Sequence, residues 1–127
     1  MGMKKVCAIW IIGCVMFFFL GGTALANKSE ASIEAPAEAP KGSEITINIT
    51  VTHNANNFLH YTESLRVTAG DKEIGRWIFT RFQRPEAAVF TRAIKVTVTE
   101  DMEIKAEASC NIHGSKGPAI VKITAKE

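Results

Sequence analysis

From Glu44 onward the chain is apolar at every second residue: Ile45, Ile47, Ile49 and Val51 alternate with Thr46, Asn48, Thr50 and Thr52. Successive side chains of a strand point to opposite faces, so this run specifies a half-buried strand. An amphipathic helix would repeat every three or four residues instead. Further strand-like runs follow at turn-punctuated spacing: Tyr61 to Ala69 with Leu65 and Val67, Glu73 to Arg81 around Ile74, Trp77, Ile78 and Phe79, and Ala88 to Thr99 with Phe90, Ile94, Val96 and Val98. Met102, Ile104, Ala106 and Ala108 form another, and Ala119 to Ala125 with Val121 and Ile123 forms the last. Gly70-Asp71, Arg84-Pro85-Glu86 and Glu100-Asp101 separate them. The expectation is an all-β chain, an immunoglobulin-like antiparallel β-sandwich of about seven strands, without the Cys…Trp…Cys signature of antibody domains. Asn27 to Ser43, rich in Ala and broken by Pro36 and Pro40, reads as an extended lead-in.

The first 26 residues have a different composition. Lys4 and Lys5 precede an uncharged stretch from Val6 to Leu20, and Thr23-Ala24-Leu25-Ala26 ends in the small-x-small pattern of a signal-peptidase site. The apolar stretch is shorter than the ~20 residues a membrane span needs. The expectation is a signal peptide over 1–26, cleaved after Ala26, and a domain of residues 27–127 that is periplasmic or otherwise exported. Membrane attachment would arise only through an uncleaved signal segment. Ile11-Ile12-Gly13-Cys14 resembles a lipoprotein cleavage box, but cutting there would leave Val15 to Leu20 as an apolar stub.

Removing Lys4 and Lys5 leaves 13 of the 15 basic residues against 13 acidic ones, a neutral domain that disfavours nucleic acid as a partner. Cys7 and Cys14 fall within the signal, leaving Cys110 alone, so no internal disulfide can form. The chain's three histidines and Cys110 form two clusters, His53-Asn-Ala-Asn-Asn-Phe-Leu-His60 and Cys110-Asn111-Ile112-His113-Gly114. Both lie where strands end, and loops at one end of a sandwich can meet. Imidazole and thiolate are the donors for iron, copper or zinc, and a Cys-x-x-His turn closed by glycine can present two ligands to one ion. Ser64, Ser109 and Ser115 lack the context of a hydrolase nucleophile. Tyr61 and Trp77 read as core or interface aromatics.

These residues also resemble a known family. Cys110-Asn111-Ile112-His113-Gly114 is similar to the Cys-Asn-x-His-Gly iron motif of the superoxide reductase family, the desulfoferrodoxins or neelaredoxins. The segment from Arg84-Pro85-Glu86 through Cys110 has that family's texture, and Lys28-Ser29-Glu30-Ala31-Ser32-Ile33-Glu34-Ala35-Pro36 resembles its N-terminal segment. The resemblance implies mononuclear non-haem iron, Fe2+/Fe3+, held by four histidines in a plane and an axial cysteine thiolate, with an open sixth position that receives superoxide. It carries over to His53, His60 and His113 as histidine ligands, to Cys110 as the thiolate, and to Lys28 as the catalytic cation that attracts the anion. It departs in two places: Ser29 stands where the family has its first histidine, and six residues rather than five separate His53 from His60, without the customary proline.

The expected function is one-electron reduction of superoxide to hydrogen peroxide, with an electron-donor protein as partner. A vacancy at Ser29 would be filled by water or by a carboxylate such as Glu30 or Glu34. One alternative is a non-catalytic copper or iron electron-transfer module on the same sandwich, although no methionine follows His113 to serve as a long axial copper ligand. Another is a structural or partner-binding sandwich. The oligomeric state is open, a homo-oligomer included.

Overall fold

The structure, a computed structural model, describes residues 28–127, so the expected signal segment lies outside the described residues. Eight strands run in order: β1 (Glu30–Glu34), β2 (Glu38–Pro40), β3 (Ser43–Thr52), β4 (Thr62–Ala69), β5 (Lys72–Ile78), β6 (Val89–Val98), β7 (Met102–Cys110) and β8 (Ala119–Lys126). They form two sheets, β1-β3-β6 and β2-β8-β7-β4-β5. Every pairing is antiparallel except β2 with β8. The expected all-β sandwich is therefore present.

The lead-in, expected as an extended segment, forms two short strands. Ala31 and Ile33 alternate with exposed Glu30, Ser32 and Glu34, which is the same period of two in weaker apolar residues. Between them Pro36 lies in the link that takes the chain from one sheet to the other.

The core lies between the sheets. Ile47, Ile49 and Val51 of β3 face Leu65 and Val67 of β4, Ile104, Ala106 and Ala108 of β7, and Ile123 of β8, all essentially inaccessible to solvent. Two parities matter for the site. On β3 the odd-numbered residues point inward, and that series continues past the strand into buried His53. On β7 the even-numbered residues point inward, and the series ends at buried Cys110.

A bulge adjusts a third strand. The register of β4 against β7 shifts between Thr62 and Ser64, leaving Glu63 as the extra residue. Leu65 and Val67 are inward at odd positions, yet the shift turns even-numbered Thr62 inward as well, opposite Cys110. Re-aiming a side chain at the end of a pairing is a common role of a bulge.

Candidate metal centre

Two strands of opposite sheets deliver the first two donors. His53 follows the last residue of β3, and its N–H continues the ladder by donating to the Ala88 carbonyl at 3.1 Å. Cys110 ends β7. The 53–60 loop returns His60 to the same place, with Asn57 shaping its tip: the Asn57 side-chain oxygen accepts from the N–H groups of Leu59 (2.9 Å) and His60 (3.0 Å). The ligand atoms of His53, His60 and Cys110 all lie within 4.8 Å of one another. His60 Nε2 is 3.0 Å from Cys110 Sγ, and the His53 and His60 rings meet edge to face with centroids 4.6 Å apart.

His113 stands at the outer side of this group. Its Nδ1 lies 3.3 Å from His60 Nε2, so two imidazole nitrogens are aimed at one another beside the sulfur. It is exposed, His60 is half-buried, and His53 and Cys110 are buried, which leaves the centre open to solvent on one side. The turn that carries His113 is closed by paired backbone bonds between Cys110 and Gly114, at 2.9 and 3.1 Å. Gly114 has φ +76°, a left-handed conformation that glycine adopts without steric cost. The N–H groups of Ile112 and His113 point at Cys110 Sγ at 3.4 and 3.5 Å. Two backbone donors converge on the one sulfur, with the Asn111 side-chain oxygen 3.8 Å from it on another side. The donor set thus fits a transition metal that takes sulfur and nitrogen.

Asn111, to which the sequence alone assigns no role, fastens the two ligand loops together. Its side-chain oxygen accepts from Tyr61 N–H at 3.0 Å and its amide donates to the Leu59 carbonyl at 3.1 Å. Its own N–H donates to the Tyr61 carbonyl at 3.1 Å. The signal for it was the motif's second residue, since a side chain with both donor and acceptor suits a clip between two strands of backbone. On the other side, Asn56 donates to the Pro85 carbonyl at 2.8 Å. Arg92 pairs with Glu86 at 2.8 Å and lies over Phe90 and Phe79, fixing the segment whose Ala88 receives His53. The Arg92 guanidinium holds the Glu86 carboxyl below the usual carboxylate range.

Ser29 is fully buried. Its hydroxyl is 2.7 Å from that of Thr62, its N–H donates to the Gly114 carbonyl at 3.3 Å, and its carbonyl accepts from Lys116 N–H at 3.0 Å. The N-terminal segment therefore does run beside the Cys110–Gly114 turn, with exposed Lys28 next to it. The carboxylates expected to fill the vacancy are elsewhere. Glu30 faces outward to Lys116 at 3.2 Å, and Glu34 pairs in register with Asn48 at the far end of β1, about 13 Å along the strand from Glu30.

Around the open side lies an apolar rim. Phe58, Leu59, Phe82 and Ile112 are exposed, with Phe58 and Phe82 edge to face at 5.4 Å and the Arg81 guanidinium 5.0 Å above the Phe58 ring. Tyr61 is buried and Trp77 packs against the core, as expected for structural aromatics.

The family model described as Desulfoferrodoxin matches residues 22–115. Among solved structures, the superoxide reductase (neelaredoxin) from Ignicoccus hospitalis aligns with TM-score 0.66 at 18% identity, over 78% of this chain and 82% of that one. A candidate superoxide reductase from Thermotoga maritima aligns with TM-score 0.58 at 24% identity, over 77% and 86%. The PKD domain of an M14-like peptidase from a Thermoplasmatales archaeon also aligns, with TM-score 0.58 at 12% identity, over 80% and 99%. At such identities these likenesses speak for the sandwich alone, which carries many functions. No curated protein matches the sequence. The match to the family model spans both ligand clusters and most of the chain, and on that ground the chain belongs to the desulfoferrodoxin family.

Proposed function

We propose that this chain is an exported mononuclear non-haem iron protein of superoxide reductase type, reducing superoxide by one electron to hydrogen peroxide. The observation that carries the reading is the meeting of His53, His60 and Cys110 within 4.8 Å, bordered by His113, in a member of the desulfoferrodoxin family. His53, His60, His113 and Cys110 would hold the iron, which supplies the electron as it passes from Fe2+ to Fe3+. Each superoxide also takes up two protons, and the exposed face at His113 admits the water that provides them. With iron bound to the Cys110 sulfur, the Ile112 and His113 N–H groups would donate to that sulfur and would tune the redox chemistry the metal supplies. Exposed Lys28, beside the Ser29 anchor, adds positive charge for an incoming anion.

Copper is the weaker choice. Among the described residues the single methionine is Met102, which begins β7 while Cys110 ends it, about 26 Å away at the rise of a strand. A blue-copper site with a methionine axial ligand is thus beyond reach. The electron donor is expected to approach over the exposed rim at Ile112 and Phe58, where His113 reaches the surface. Export rests on the Lys4–Ala26 pattern, and sequencing the N-terminus of secreted protein should begin at Asn27.

The test is elemental analysis and a visible spectrum of protein purified without oxygen or added metal, followed by pulsed exposure to superoxide. Stoichiometric iron, a sulfur-to-iron charge-transfer band on oxidation, and fast appearance of that band when the ferrous protein meets superoxide are expected. Stoichiometric zinc or copper without iron would contradict the reading.

A further inference from the structure

We infer that the centre keeps two positions for exchangeable small ligands, because Ser29, the donor-bearing side chain anchored beside the Cys110–Gly114 turn, is turned into the core and bound to Thr62. The inference rests on the iron reading above and concerns how many ligands this chain itself supplies.

The donors can be counted neighbour by neighbour. The Ser29 hydroxyl is wholly buried and lies 2.7 Å from Thr62 Oγ1, so the two hydroxyls satisfy one another. This orientation is imposed by the backbone. Ser29 continues the inward parity of Ala31 and Ile33 and is held by Gly114 on one side and Lys116 on the other. Thr62 is held inward by the bulge at Glu63. A neutral hydroxyl is in any case a poor ligand for iron compared with imidazole or thiolate.

Glu30 is exposed and paired with Lys116. Both ends of the Asn111 amide are engaged by backbone. Among the described residues the compact donor group contains no carboxylate. His53, His60 and Cys110 of that group, with His113 bordering it 3.3 Å from His60 Nε2, are the imidazole and thiolate donors at this end. Four donors would complete a tetrahedral zinc site, but iron commonly accepts up to six ligands and is left with two positions to share with solvent and small molecules. The ligands this favours are small anions and neutral diatomics. They enter from the side where His113 is exposed.

The experiment uses nitric oxide as the probe on the iron-loaded ferrous protein, read by electron paramagnetic resonance in ordinary and oxygen-17 water. Nitric oxide occupies one position, and broadening of its signal by oxygen-17 reports water at a second. Broadening is expected in the natural chain, and Ser29→Ala, which keeps the backbone anchors, should give the same signal and the same broadening. An unbroadened nitrosyl signal in the natural chain would overturn the inference while leaving the iron reading intact, as would a Ser29→Ala signal altered enough to make the hydroxyl a donor. Failure to form any iron nitrosyl or sulfur-to-iron band would overturn both.

Discussion

The two ends of this sandwich are built by the same strands and do different things. At one end the chain turns tightly at Lys41-Gly42, at Gly70-Asp71 and at Glu100-Asp101, and the inward faces finish in Ile45, Val98 and Met102. Backbone bonds close these turns, Gly42 N–H to the Val98 carbonyl and Gly70 N–H to that of Glu103 among them. At the other end the connections are long, 53–61, 79–88 and 111–118, and the inward faces of β1, β3 and β7 run out into Ser29, His53 and Cys110. A metal site here would cost the fold little, because buried His53 and Cys110 occupy positions the core pattern already points inward. The difference lies in which residue closes each inward series.

The sharpest way to break this comparison is to substitute on one face of one strand. Ile104 and Cys110 both point inward from β7. Ile104→Ala should lower unfolding stability by about 2–5 kcal/mol through lost burial and a residual cavity, while the protein that remains folded still takes up iron. Cys110→Ser should do the reverse, abolishing the charge-transfer band while the sandwich stays folded. Denaturant melts with iron analysis on both variants separate the two roles. A Cys110→Ser chain that keeps full colour would refute the assignment.

Asn111→Ala sharpens the comparison from the loop side. It removes two links between the ligand loops, so iron affinity should fall by about 10–100-fold, the usual cost of losing an outer-shell partner. Stability should fall by about 1–3 kcal/mol from the backbone groups left unpaired. Competition with a chelator checks the first and thermal melts the second. Asn111→Ser, too short to span both loops, should resemble Asn111→Ala.

The strands were legible in the sequence from their period of two, and His53 and Cys110 stood out because the histidines and Cys110 cluster where strands end. His53 continues the series Ile45, Ile47, Ile49, Val51, and Cys110 continues Ile104, Ala106, Ala108. The strands β1 and β2 were not, since Ala31 and Ala39 bury too little surface to mark a pattern. Nor was the inward turn of Thr62, because a bulge reverses parity without changing composition. The fate of Ser29 depends on that bulge, and with it the exclusion of Glu30 and Glu34, whose outward direction follows from pairing rather than from residue type.

The smallest expected effect concerns acid. Arg92 holds the Glu86 carboxyl below its usual range, so this pair stabilises the segment behind His53 above the unfolded carboxyl's pKa. That contribution fades as pH falls through the lower folded value. Glu86 is largely exposed and solvent screens the pair, so Glu86→Gln should change stability near neutral pH by less than about 1 kcal/mol and flatten the loss seen in acid. Melts across acidic pH on both chains check it.

The central claim is that β3 and β7 bring an imidazole and a thiolate to the same iron. X-ray absorption at the iron edge of the natural chain, beside Cys110→Ser, tests this most directly. The account predicts one sulfur neighbour together with nitrogen neighbours in the natural chain, and no sulfur neighbour in the variant. A first shell of nitrogen and oxygen alone in the natural chain would contradict it.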